Sequence, residues 1–387
     1  MVGLSTQPTW TAREPNLVQT PDCSISTFQM SDTYIVNQIP ARTIQKDGQE
    51  YLFFSGTSYL GLSQRSEFQQ LVIDAIGRYG TVFGSSRNGN LRIGVYEEAE
   101  EKLAEYVGAP AALTLSSGMM AGQAVVALLQ SQNHAFVYGP NAHPAVWQGP
   151  SVTLPTLSFT DWTAQLPTQL SALKSAELAA KPVAVLVNAL DAVCSSYYAF
   201  DWVENLPDDY PITLVVDDSH GLGVLNDGRG IWPQIPYKAN VRLVVTASLA
   251  KAMGLPGGVV FSDADTIANL RRSAFFGACS PMPPAYLDAY LNADHLYSQG
   301  RDRLHQNLLL AEKLLLPTGL FRHATGYPVF FTEHDDLYSH LLERNIFIYS
   351  FAYPTAADRA NTRIVISAFH EFDDIHKLAE GIYQYVL

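Results

Sequence analysis

Apolar positions follow a helical period before residue 110 and gather into short unbroken runs after it. Between Ser66 and Tyr79, the residues Phe68, Leu71, Val72, Ala75, Ile76 and Tyr79 fall at i, i+3, i+4, i+7, i+8 and i+11. That is one stripe of a helix, with Gly80 as its stop. A second helix is expected from Val95 to Val107, ended by Gly108 and Pro110. From residue 111 the chain reads AALTL (111–115), AFVY (135–138), VAVLV (183–187), ITLVV (212–216), RLVVTA (242–247) and GVVF (258–261), with helical segments between. Runs this short and this continuously apolar predict strands of a mostly parallel sheet covered by helices on both faces, an α/β architecture.

Beyond Pro284 a long helical stretch is expected through about Leu316, then strands at YPVFF, NIFIYS and RIVIS, and a closing helix from about Asp373. The first 50 residues are polar and broken by Pro8, Pro15, Pro21 and Pro40. The expected domains are therefore an N-terminal arm (1–55), a large domain (56–284) and a smaller α+β C-terminal domain (285–387). The chain has no internal repeat at solenoid periods and no low-complexity tract.

Composition narrows the function classes. Of 387 residues, 47% are hydrophobic and 16% charged, and the net charge is −13, a field that repels nucleic acid unless a basic patch offsets it. The densest basic runs, Arg271-Arg272 and Arg301 with Arg303, are too short for such a footprint. Three widely spaced cysteines, Cys23, Cys194 and Cys279, argue against a disulfide framework and for a reducing compartment. No spacing suggests zinc or another metal. The N-terminus lacks a basic segment followed by an apolar one, and no apolar run approaches the roughly 18 residues a span needs. A cytoplasmic protein without a membrane span is expected.

Ligand sites in open α/β sheets lie beyond the carboxyl ends of the strands. Four strand ends carry chemistry: Ser116-Ser117-Gly118, Asn141-Ala142-His143, Asp217-Asp218-Ser219-His220 and Ser248-Leu249-Ala250-Lys251. Singly, each has an ordinary reading: a snorkelling lysine, a capping aspartate, structural histidines, a helix entry. Jointly they supply what a pyridoxal phosphate site needs. These are a lysine to carry the cofactor, a carboxylate to keep its ring nitrogen protonated, a flat group for the ring face, and helix-start N–H groups for the phosphate.

At these residues the sequence resembles a family. The run VVDDSHGLGVLNDGRG (215–230) followed by TASLAKAMGLPGG (246–258) is similar to the two signature segments of the α-oxoamine synthases, which are fold-type-I pyridoxal-phosphate enzymes. The similarity continues through TSYLGL (57–62), YGTVFGSSRNG (79–89), AEEKLAEYVG (99–108), LSSGMMAGQ (115–123), NAHPAVWQG (141–149), CSPMPP (279–284) and RIVISAFHE (363–371). It implies that Lys251 carries the cofactor and then serves as base at the substrate Cα. It implies Asp217 at the pyridine nitrogen, His220 at the phenolic oxygen and His143 stacked on the ring, with a catalytic part for His143 at the thioester oxygen. Ser117, Gly118, Met119 and Ser248 would bind the phosphate, Ser280 would reach the phosphate of a neighbouring subunit in a homodimer, and Arg363 would hold the amino-acid carboxylate. The implied reaction joins a small amino acid to an acyl thioester, from acyl-CoA or an acyl-carrier protein, usually with decarboxylation.

The sequence also departs from the family. Tyr96 stands where a histidine is usual and Gly122 where an asparagine is. The segment 188–202 lacks the expected serine motif, leaving Asn188, Asp191, Ser195 and Ser196 as alternatives. Arg87, between Gly84 and Gly89, reads either as a solvated loop residue or as a contact for an anionic acyl carrier. An aminotransferase on the same fold, which usually has a tyrosine at the position of His220, and a non-catalytic partner subunit remain the other readings of the whole chain.

Overall fold

The computed structural model describes residues 34–175, 181–352 and 360–387. Cys23, Pro8, Pro15, Pro21 and most of the expected arm lie outside the described residues. The chain enters through a hairpin, β1 (Thr43–Lys46) and β2 (Gln49–Phe53), followed by helices α1 (Ser66–Tyr79) and α2 (Val95–Val107) at the expected bounds. Alternating segments follow: β3 (Ala111–Leu115), α3 (Gly118–Ser131), β4 (Ala135–Tyr138), α4 (Phe159–Ser175) and β5 (Val183–Asn188). A two-residue ladder, β6 (Leu190–Asp191) with β7 (Ser196–Tyr197), precedes β8 (Ile212–Asp217), β9 (Val241–Ser248) and β10 (Gly258–Ser262).

Six of these strands form one sheet in the order β3-β10-β9-β8-β5-β4. The pairings β4–β5, β5–β8 and β8–β9 are parallel, and β10 runs antiparallel to both its neighbours. The pleat of β5 explains its unbroken apolar run. Val185 and Val187 enter one core and Ala184 and Leu186 enter the other, so every position is buried. Both faces of the sheet are thus covered, and the parallel strands end together on one edge.

After α5 (Ala264–Arg272) and α6 (Ala274–Ala278), the expected long helix is two, α7 (Pro284–Leu291) and α8 (Asp294–Leu315). The break falls at Asn292-Ala293, where Lys102 Nζ donates to the Leu291 carbonyl (2.9 Å) and pairs with Asp294 (2.6 Å). The remaining elements are β11 (Arg322–His323), β12 (Val329–Thr332), α9 (Leu337–Leu342), β13 (Ile346–Phe347), β14 (Tyr349–Ala352), β15 (Ala360–Val365) and α10 (Phe372–Val386). The run NIFIYS, expected as one strand, serves two sheets: β13 pairs parallel with β2, and β14 joins the antiparallel set β11-β12-β15-β14. Backbone bonds from Val365 N to Phe54 O (3.0 Å) and from Ala368 N to Tyr59 O (2.8 Å) tie this region to the segment after β2.

Neither reading of Arg87 holds. Its guanidinium is buried and donates to both carboxylate oxygens of Glu100 (2.6 and 3.1 Å), which Arg271 also contacts, and it stacks over the Tyr96 ring at 4.2 Å. A buried arginine must be paired, and α2 supplies the pair. Tyr96, the departure from histidine, donates its hydroxyl to Met282 O (2.7 Å) and is packed in the core. Among the described residues no helix is long and apolar enough to cross a membrane, and no cluster of side chains has the makings of a metal site.

Candidate active site

The strand ends of the sheet open onto a cavity of about 560 Å³. Lys251, Asp217, His143, His220 and Arg363 all line it, so five of the residues singled out in the sequence converge. Ser117, Gly118, Met119, Ser248 and Ser280 do not line it. The first four sit at its margin around the start of α3 and the end of β9, and Ser280 is exposed beside Cys279, whose thiol contacts Ser116 Oγ (3.3 Å).

Asp217 ends β8. Its Oδ1 accepts from Ser219 N (2.9 Å), while Oδ2 has His143 Nδ1 as its near neighbour at 3.5 Å. That nitrogen accepts from Ala145 N (3.2 Å), so the His143 proton sits on Nε2 and Asp217 Oδ2 is left without a donor among the described residues. Burial, and then the nearby Lys251, hold His143 below its ordinary pKa against the pull of Asp217. A carboxylate oxygen facing only acceptors is fitted for a ligand N–H.

Lys251 has no hydrogen-bond or ion-pair partner among the described residues. Burial lowers its pKa to about 8, Asp217 opposing this and Arg363 adding to it. Such a lysine is an available amine near neutral pH. Arg363, on β15, leaves its buried Nε without a partner and lies over the Phe351 ring at 5.7 Å. A buried, unspent guanidinium donor calls for an anion.

The margin around α3 is built by close approach. A Cβ on Gly118 would lie 2.6 Å from Ser248 Cβ, and one on Gly258 would lie 2.2 Å from Ser117 O, so only glycine lets helix and strand ends meet here. Ser117 caps α3 by accepting from Met120 N (3.1 Å), and Ala121 N bonds Ser117 O (3.0 Å). The N–H groups of Gly118 and Met119 are unspent among the described residues, an anion-binding helix start. Ser248 is held by Ser219 Oγ, which accepts its N–H (2.9 Å). Gly122, the second departure, is explained by packing: a Cβ there would lie 2.3 Å from Ala145 O in the turn that carries His143.

Within 188–202 the alternatives separate. Asn188 lines the cavity and clamps the His143 turn, accepting from His143 N (3.0 Å) and donating to Asn141 O (2.6 Å), with Asn141 in the left-handed region at φ 55°. Asp191 also lines the cavity, its Oδ1 capping Val193 N and Cys194 N. Ser195 is buried away from it, and Ser196 is exposed. Two residues that sequence reasoning missed stand behind His220: Tyr59 OH lies 2.8 Å from its Nδ1, and Tyr327 OH lies 3.3 Å from Tyr59 OH. Both come from aperiodic turns, and only the TSYLGL motif hinted at the first.

The residues present fit pyridoxal phosphate: an amine, a carboxylate oxygen wanting a donor and a guanidinium with a buried free donor line one cavity, with an unspent helix start at its margin. The comparisons agree with the fold. The 8-amino-7-oxononanoate synthase of Nitrosomonas eutropha is 31% identical over 376 residues, 89% of this chain and 92% of that protein. The serine palmitoyltransferase of Sphingobacterium spiritivorum is 26% identical over 354 residues, 86% of each chain. Among solved structures, a serine palmitoyltransferase from S. paucimobilis with a bound PLP-myriocin aldimine superposes with a TM-score of 0.77 at 16% identity, covering 92% of both chains. An 8-amino-7-oxononanoate synthase from Francisella tularensis gives 0.64 at 24% identity, covering 87% of this chain and 98% of that one. The fold-type-I architecture expected from the sequence is the one found. The Aminotransferase class I and II family matches residues 57–382, and with five strand-end and β15 side chains meeting in one cavity at the fold's usual ligand edge, the chain belongs to that family.

Proposed function

We propose that this protein is a pyridoxal-phosphate-dependent α-oxoamine synthase, an acyltransferase that joins a small amino acid to an acyl thioester. The observation that carries the reading is Lys251, a half-buried, unpartnered amine with a pKa lowered to about 8, facing the same cavity as Asp217 and the unspent Arg363. When bound, the cofactor supplies a carbonyl carbon for amines and a ring that takes up the electron pair left at the amino-acid Cα. Asp217 Oδ2 would accept the ring N–H and keep that nitrogen protonated. The N–H groups of Gly118 and Met119, with Ser117 and Ser248, hold the phosphate. Arg363 binds the substrate carboxylate and orients the Cα–H toward Lys251, which removes the proton as a neutral amine. His143 would lie against the ring, and its Nε2–H would donate to the thioester oxygen as charge builds there. The new carbon–carbon bond forms at the thioester carbon as the carbon–sulfur bond breaks, the thiol leaves with the proton taken from Cα, and loss of the carboxyl as carbon dioxide, with a proton from solvent added at Cα, completes the oxoamine.

A homodimer with Ser280 at the neighbouring phosphate is favoured by the exposure of that serine beside the strand-end turn. The free thiols of Cys194 and Cys279 favour a reducing, cytoplasmic setting. The test is to supply glycine, alanine or serine with an acyl-CoA and follow thiol release. Thiol released only when both substrates are present supports the reading. Keto-acid formation from the amino acid alone would place the chain with the aminotransferases, and no binding of pyridoxal phosphate at all would place it with non-catalytic subunits.

A further inference from the structure

His220 has one ring nitrogen committed before any ligand arrives. Nδ1 lies 2.8 Å from Tyr59 OH and 3.4 Å from Tyr327 OH, and the two hydroxyls lie 3.3 Å apart. Both tyrosines are sealed from solvent, with relative exposures of 1% and 0%. Neither hydroxyl has another partner among the described residues, so the three groups must satisfy one another.

Proton counting then decides the tautomer. If Nδ1 carried the hydrogen and donated to Tyr59, Tyr59 would donate to Tyr327, and the Tyr327 O–H would be left buried with no acceptor. If Nε2 carries it, Tyr327 donates to Tyr59, Tyr59 donates to Nδ1, and no proton is stranded. A doubly protonated ring fails in the same way and is further opposed by burial and by the neighbouring Lys251 and Arg363. Burial also keeps both phenols protonated.

We propose that Tyr59 and Tyr327 form a hydroxyl relay that locks His220 as the Nε2–H tautomer, so that its ring presents a fixed N–H donor to an acceptor oxygen in the cavity. Both tyrosines are positioning residues acting through His220. The relay also gives Ser195 a task. Its Oγ donates to Val329 O (2.7 Å) and accepts from Ala324 N (3.0 Å), gripping both ends of the turn that carries Tyr327. Only the identity of the acceptor, the phenolic oxygen of pyridoxal phosphate, rests on the proposed function.

The test is nitrogen NMR of protein labelled with 15N-histidine, the His220 signal being assigned from its absence in His220→Gln. Before cofactor is added, His220 should show a protonated Nε2 and a bare Nδ1. Tyr59→Phe should convert it to a mixture of tautomers while the melting curve stays two-state, and Tyr327→Phe, one hydroxyl further out, should do so in part. On titration with pyridoxal phosphate, Tyr59→Phe should bind about three- to tenfold more weakly, the worth of one hydrogen bond. A protonated Nδ1 in the unmodified protein, or a His220 signal unmoved in whichever of the two phenylalanine variants folds, would overturn the relay. Normal tautomer behaviour in a protein that binds no pyridoxal phosphate would instead overturn the proposed function and leave the relay standing.

Discussion

Lys251 shows at the scale of one residue how burial creates chemistry at a cost in stability. Its pKa falls from 10.5 to about 8, so the unfolded chain binds more protons than the folded one between those values. Stability should therefore rise with pH across that window, and the penalty should be at its full size below pH 8. Removing the ammonium removes the penalty. In the protein before cofactor is added, Lys251→Met should stabilise by on the order of 3 kcal/mol at pH 7, the gain fading toward pH 10.5. Urea melts at a series of pH values measure it, and a pH-independent difference would mean that the lysine is not desolvated. The residues of the cavity were legible in unequal degree. Lys251, Asp217, His143 and His220 could be found because parallel strands end on one edge, so each follows an apolar run. Tyr59 and Tyr327 could not, because no period marks either and their meeting depends on two distant turns converging.

At the scale of the element, the junction of α3 with β9 turns a packing constraint into a binding surface. The helix start can approach the strand end only because Gly118 lacks a Cβ, which would otherwise lie 2.6 Å from Ser248 Cβ. Gly118→Ala should push the two apart, costing about 1–3 kcal/mol of stability, and should weaken pyridoxal phosphate more than unphosphorylated pyridoxal if the unspent N–H groups hold the phosphate as proposed. Equal weakening of both ligands would move the phosphate site elsewhere. The helices α1 and α2 were legible to the residue, because each carries a clean period and a glycine stop, and the apolar strand runs marked the six strands of the central sheet to within a residue at each end. The split of α7 from α8 and the division of NIFIYS between two sheets were not, since both depend on partners remote in sequence: Lys102 for the helix break, β2 and β15 for the strands.

For the whole molecule, the cavity is a meeting of three lengths of chain: the segment carrying Thr57, the ends of the central sheet, and the C-terminal region with Arg363. Arg42, through paired bonds of 2.6 and 2.8 Å to Asp374 on α10, fastens the first of these to the last. A second tie, Arg87 with Glu100 and Arg271, joins the loop before α2 to α5, and it shows why charge alone misled: a polar loop gives no sign of the carboxylate that will meet it. Arg87→Ala should cost about 3 kcal/mol or more in a denaturant melt and leave the KM for an acyl donor unchanged. A changed KM at unchanged stability would restore the acyl-carrier reading. The central claim is that Lys251 carries the cofactor. Borohydride reduction of the protein loaded with pyridoxal phosphate, followed by peptide mass mapping, decides it: a phosphopyridoxyl group is expected on Lys251 alone, and its appearance on another lysine, or on none, would overturn the assignment.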